Sequence, residues 1–234
     1  MLQILFVILA LVVAIVMHEL AHGVVAYWLG DQTAKRAGRL TLNPIKHIDK
    51  TGSIIVPLVL VLGQLLTLGR VAFAYGWAKP VPINPAHLRF GPYRNARRLM
   101  AVVAIAGPVM NFSLALLAGL AVHAAVAMQS VPFLSFLVYF IQINLLLGLF
   151  NLIPLPPMDG GRVAVGVLPL PLAVMLARSE KIGIAAVLLL LFVLPLALQS
   201  FGVRFDPFNE AVGGVLPWAE HIILLLTGNN VGNN

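Results

Sequence analysis

LQILFVILALVVAIVMHELAHGVVAYWL, residues 2–29, holds no Lys, Arg or Asp, yet carries His18-Glu19-Leu20-Ala21-His22 in its second half. At 1.5 Å per residue such a run makes about 42 Å of helix, enough to cross a bilayer core of ~30 Å with one end projecting. Ionisable side chains at that depth cost roughly 2.5–3.5 kcal/mol each and mark function by default. Four residues along a helix return to the same face, so His18 and His22 can grip one Zn²⁺ while Glu19 reaches the same locus. His22 precedes Gly30 by eight residues, about 12 Å of helix, which puts the motif below the membrane surface yet within reach of water from one side.

The rest of the chain agrees with a membrane setting. Of 234 residues, 60% are hydrophobic and 10% charged, and the mean hydropathy is +0.98, which excludes an ordinary soluble domain. The net charge of +7 does not mark a nucleic-acid binder, because Lys and Arg sit in short segments flanking apolar runs, as topology signals do. Cys is absent, so disulfides and thiolate ligands are excluded and any metal must be held by His and carboxylates. The first run has no basic n-region and no small-residue cleavage site, and it contains the motif itself; it reads as a retained span rather than a signal peptide.

Residues 31–51 carry Lys35, Arg36, Arg39, Lys46 and Lys50, and a second basic segment occupies residues 89–98. The apolar stretch between them, from residue 52 to 69, is interrupted by Pro57 and Gly63. A full crossing there would place the two basic segments on opposite faces, against the positive-inside tendency, so a re-entrant hairpin over about 52–78 is expected. Pro80, Pro82, Pro85 and Gly91 make the following stretch extended or looped, with room for minor β structure near the active site. Residues 99–128 and 131–152 read as spans joined on the outer side by Gln129 and Ser130, and two further spans fit about 182–199 and 212–226. The expected fold is an all-α polytopic membrane protein with about six transmembrane segments: five full spans plus the hairpin, or six if the hairpin crosses. One domain is expected over 1–234, with a catalytic core at about 1–162 and C-terminal spans at about 180–227.

Catalytic zinc takes three protein ligands and leaves a position for water, so the two histidines need a partner. The best candidate is Asp159, in Asn151-Leu152-Ile153-Pro154-Leu155-Pro156-Pro157-Met158-Asp159-Gly160-Gly161. Three prolines prevent a regular helix and two glycines permit tight turning, so a carboxylate there can be aimed at a fixed point. The alternative for Asp159 is a helix N-cap or turn, and for the histidines a hydrogen-bonded core pair; the second leaves Glu19 unexplained. His87, His123 and His221 lack paired spacing and read as interfacial or packed, and His47 reads as a turn residue. Asn144 and Asn151, seven residues apart on one helical face, and Asn111 in the middle span are candidates for bonds to an extended substrate or an oxyanion, with interhelical packing the alternative.

These segments resemble the site-2 protease family of intramembrane zinc metalloproteases. The resemblance rests on residues 18–22, on Ala106-Gly107-Pro108-Val109-Met110-Asn111, and on residues 151–160, which match the family's N-x-x-P-x-x-x-x-D-G. Gly76-Trp77-Ala78-Lys79-Pro80-Val81-Pro82-Ile83-Asn84-Pro85 is similar to the short bacterial and archaeal branch. The resemblance implies one zinc per chain held by His18, His22 and Asp159, with Glu19 catalytic. It further implies a transmembrane protein substrate cut within or near its membrane helix, regulated intramembrane proteolysis, and a multi-pass location in a prokaryotic cell membrane with the active site nearer the cytoplasmic side. The chain departs from better-known members in carrying no PDZ or CBS domain. A metal or proton transporter and a catalytically silent zinc-binding scaffold are the competing readings; the first lacks repeat symmetry, and the second leaves Glu19 without a purpose.

Overall fold

The structure is a computed structural model that describes residues 2–69, 76–91, 95–179 and 207–229, with isolated positions 189, 194 and 198. Its described helices of four residues or more in α form are α1 (Leu2–Trp28), α2 (Thr33–Arg36), α3 (Val56–Leu68), α4 (Ala96–Ala127), α5 (Val131–Asn151), α6 (Asp159–Val167), α7 (Leu170–Arg178) and α8 (Pro207–Leu226). The chain is an all-α membrane protein, and α1, α4 and α5, with 27, 32 and 21 residues, are long and apolar enough to cross a bilayer. The expected span over 182–199 lies outside the described residues. The expected span over 212–226 falls within α8.

Helix α4 is the hub, packing against α1, α5 and α6. Lipid tails are as apolar as leucine, so helices in a bilayer associate by close packing and polar bonds rather than by hydrophobic burial. The contact surfaces are accordingly built from small residues: Ala10, Ala14 and Ala26 of α1 and Ala104, Ala115 and Ala118 of α4 are buried, while Leu2, Ile4, Leu5 and Ile8 face outward. Leu137, Phe140, Ile141 and Leu145 of α5 close the core from one side, and Ala219 and Ile223 of α8 join it. Helix α1 stops because Gly30 takes a left-handed φ of +95°, letting its N–H reach Tyr27 O at 3.0 Å and the Asp31 N–H reach Ala26 O at 2.9 Å.

The two ends of the excursion between the basic segments meet, as the expected hairpin requires. Asp49 accepts the Gly52 N–H at 2.6 Å and starts a π-helical turn over Lys50–Ile55 that runs into α3. Helix α3 has 13 residues, about 20 Å, which is short of a ~30 Å core. The chain then returns to its point of departure: Trp77 N–H donates to Gly52 O at 3.1 Å, and Ser53 Oγ donates to Trp77 O at 2.8 Å. A side chain at Gly52 would occupy the Trp77 indole, so only glycine lets the two limbs close.

Residues 76–84 follow as an extended strap, and no strand forms among the described residues. The expected minor β structure is absent there for a local reason. The strap's N–H groups go to turn carbonyls and a carboxylate, and Pro80 and Pro82 have no N–H to contribute to a ladder.

Candidate metal centre

His18 and His22 leave α1 one turn apart, on the face covered by α4, and Asp159 is the first residue of α6. Their donor atoms form a near-equilateral triangle: His18 Nε2 and His22 Nε2 each lie 3.1 Å from Asp159 Oδ2 and 3.0 Å from one another. All three residues are buried, between 6% and 7% exposed. Among the described residues this is the one group of three or more His and carboxylate side chains converging tightly enough to hold a metal. Bonds of 2.0–2.1 Å to a tetrahedral zinc separate neighbouring ligands by about 3.3–3.4 Å, within a few tenths of an ångström of what is seen.

The hydrogen bonds on the far side of each ring bear on the same point. His22 Nδ1 lies 2.8 Å from Val103 O, and a carbonyl only accepts, so His22 carries its proton on Nδ1. His18 Nδ1 lies 2.6 Å from Asn111 Oδ1, and the orientation of that amide is fixed by a chain ending on another carbonyl. Asn144 Nδ2 donates to Phe140 O at 2.8 Å, which turns Asn144 Oδ1 to accept Asn111 Nδ2 at 2.9 Å, which turns Asn111 Oδ1 toward His18. With Nδ1 of each ring turned to an acceptor, both Nε2 atoms face a carboxylate oxygen at one point. In the neutral tautomers these would be three acceptors facing one another, an arrangement that a divalent cation satisfies.

The approach of α4 depends on Gly107. A Cβ there would lie 2.5 Å from His22 Nε2 and 2.6 Å from His18 Nε2, inside van der Waals contact with both imidazole nitrogens. Pro108, the next residue, has no N–H for Ala104 O and loosens the turn that offers Val103 O to His22. On the other side, neither Gly160 nor Gly161 has a positive φ. Their role is close approach rather than tight turning: a Cβ at Gly160 would strike the Leu152 carbonyl and one at Gly161 the backbone of Leu155 and Pro156. The 152–158 loop thus folds flat against the start of α6 and delivers Asp159 to the histidines.

Glu19 is half-buried beside the triangle, and its Oε2 accepts the backbone N–H of Val81 at 2.8 Å. Asn111 and Asn144 have no exposed surface, and Asn111 also donates to Ala14 O at 3.3 Å. Asn151, the last residue of α5, stays half-buried with Nδ2 on Leu147 O at 2.9 Å. The remaining histidines stand apart from the centre: His47 Nε2 bonds Thr41 O at 2.9 Å, His123 Nε2 bonds Thr227 O at 2.7 Å, and His87 faces Asp31. Sequence reading passed over Gly107 as part of a motif and had no signal for Val81. A glycine inside a helix, disfavoured by about 1 kcal/mol against alanine, was the available sign for the first.

Crossing helices around two imidazoles, a carboxylate and a neighbouring glutamate have the make-up of a membrane metallohydrolase. The sequence profile of peptidase family M50 matches residues 119–194. YwhC of Bacillus subtilis (strain 168), which carries the name of a zinc metalloprotease, is 41% identical over 198 residues, covering 82% of this chain and 81% of that protein. Two proteins named Rip2, also as zinc metalloproteases, are similar over less: 31% over 151 residues in Mycolicibacterium smegmatis and 30% over 156 in Mycobacterium tuberculosis. Those matches cover 62% and 63% of this chain but only 50% and 51% of the Rip2 proteins, about half their length. No solved structure matches. The chain belongs to peptidase family M50, the site-2 proteases, and is a zinc-dependent peptidase of the membrane.

Proposed function

We propose that this chain is a single catalytic domain that cuts a peptide bond within or near a transmembrane helix of a membrane protein, with His18, His22 and Asp159 holding the zinc and Glu19 moving the proton. The observation that carries this reading is the burial of the donor triangle, two of whose three members lie on α1, an apolar helix of membrane-spanning length. When bound, zinc polarises a carbonyl and lowers the pKa of water toward about 7. Glu19 takes the proton from the attacking water and delivers it to the departing amide nitrogen. Asn111 and Asn144 hold His18 in its tautomer, and Asn151, the asparagine of the three that keeps exposed surface, is the amide available to substrate.

A membrane helix hides its amides in its own hydrogen bonds, so substrate must unwind before a carbonyl can be attacked. The strap offers it an edge. The N–H groups of Trp77, Lys79 and Val81 turn inward, while the carbonyls of Ala78, Pro80 and Pro82 have no partner among the described residues and can accept from an extended chain. The basic residues after α1 support a position for this end of the molecule on the cytoplasmic side of a prokaryotic cell membrane, where cleavage would release a tethered regulator.

Reconstitution with a membrane-helix substrate tests the reading. Glu19→Gln should keep its zinc and lose turnover by at least a thousandfold on the scale of general-base and electrostatic loss combined, whereas Asp159→Ala should lose the metal. Normal turnover by Glu19→Gln excludes the chemistry, and cleavage confined to soluble peptides excludes the substrate class.

A further inference from the structure

We propose that the backbone N–H of Val81 is the positioning group for the Glu19 carboxylate, and that the Pro80-Val81-Pro82 triplet exists to reserve that one donor for it. The inference rests on Glu19 acting as the base and says how that base is aimed. Three observations converge on it.

Alternate residues of an extended chain point the same way. Trp77 N–H reaches Gly52 O at 3.1 Å, Lys79 N–H reaches His47 O at 2.8 Å, and Val81 N–H is the next inward donor. Where a ladder would present a third carbonyl, the strap meets Glu19 Oε2 at 2.8 Å. Prolines on both sides leave Val81 the only residue of the triplet with an N–H, so no neighbouring donor can take its place.

The strap is pinned on each side of this contact. Arg39 Nη2 donates to Lys79 O at 2.6 Å, and Asn84 N–H donates to Asp31 Oδ2 at 2.7 Å. Val81 is buried, and its side chain lies over Gly23, one helical turn beyond Glu19 on the same face of α1; a Cβ at Gly23 would be 3.1 Å from Val81 Cγ1 and 2.5 Å from Leu40 Cδ2. Glycine at 23 is what lets the strap descend to the carboxylate. A glutamate at the end of several free torsions is otherwise loosely aimed. Holding Oε2 leaves Oε1 as the free oxygen for proton transfer.

Val81→Pro deletes the donor, and Val81→Ala deletes only the side chain. Val81→Pro should lower kcat by 10–100-fold, the usual loss when a group orienting a metal-site residue is removed, with KM and zinc content unchanged; Val81→Ala, which keeps the N–H, should lose at least about fivefold less of kcat than Val81→Pro does. Hydrogen exchange reads the bond without turnover, since the 80–82 triplet has a single exchangeable amide. That amide should be protected in the parent and in Glu19→Gln, which retains an acceptor oxygen, and should exchange at least tenfold faster in Glu19→Ala, while the Trp77 and Lys79 amides are unaffected. Equal kcat in the proline and alanine variants, or a Val81 amide indifferent to Glu19→Ala, overturns the proposal. If Val81→Pro does not fold, the exchange arm decides alone. Loss of the base reading itself would appear separately, as turnover by Glu19→Gln.

Discussion

His18 and His22 are aimed by groups on a facing helix, an asparagine chain and a carbonyl of α4, whereas Glu19, on the same turn of α1, meets a backbone amide of a strap that belongs to no helix. The two sides of the centre therefore differ in what holds them. On the histidine side everything is enclosed between membrane-spanning helices, with Asn111 and Asn144 at zero exposure. On the glutamate side the anchors are loops at the helix ends. The contrast suits the proposed chemistry: residues holding a zinc would need one fixed geometry, while the segment beside Glu19, acting as base, would have to admit an unwound substrate.

Gly107→Ala should break the histidine side most severely. Alanine favours a helix by about 1 kcal/mol over glycine, so α4 should persist. The new methyl would sit 2.5–2.6 Å from both Nε2 atoms, and either the imidazoles rotate away or α4 retreats. Zinc stoichiometry should fall to near zero and turnover with it, while helical content by circular dichroism stays at the parent level. Retention of full zinc by this variant would show that the close approach of α4 does not set the triangle.

How much of this was legible beforehand divides along the same line. The convergence of positions 18 and 22 was readable from the H-E-x-x-H spacing because helical periodicity alone brings them together, and their Nε2 atoms stand 3.0 Å apart. Asp159 was readable from its proline and glycine setting, although the glycines act by letting the backbone approach rather than by turning it. The hairpin over 52–78 followed from charge placement, and the Gly52–Trp77 bond closes it. What the sequence withheld were partnerships across distance. Nothing local to Asn111 says that its amide faces His18, 93 residues away, rather than substrate. Val81 was invisible for a deeper reason: a main-chain N–H works under any side chain except proline, so residue type carries no trace of it.

A smaller effect sharpens the comparison on the histidine side. Asn111→Leu removes the acceptor of His18 Nδ1 while keeping the site apolar and filled, and leaves Asn144 Oδ1 without its donor. Zinc affinity should fall by 10–100-fold, the range for partners one bond beyond the ligand. Asn144→Leu should do less, since Asn111 keeps its bond to Ala14 O. Competition with a chelator measures both. Equal loss in the two variants would mean that the pair contributes packing and not orientation.

The smallest expected effect lies at the far anchor of the strap. Asp31, just past α1 and fully enclosed, accepts from the Thr33 hydroxyl and amide and from the Asn84 amide, with His87 Nδ1 at 3.4 Å. Burial alone would raise its pKa, but these donors outweigh it, led by the Thr33 hydroxyl, and hold the carboxyl below the ordinary value of 3.8. A depressed carboxylate lends stability that is complete above its unfolded pKa and is lost as pH falls through the folded one. The strap end should therefore stay anchored down to about pH 4 and loosen progressively below it. Asp31→Asn should cost about 1–3 kcal/mol at neutral pH, abolish that acid dependence, and speed exchange at the Asn84 amide. Because the Val81 contact has its own anchor at Lys79, exchange there should change less than at Asn84. If both amides loosen together, the strap moves as one body, and the glutamate side is as rigidly coupled as the histidine side.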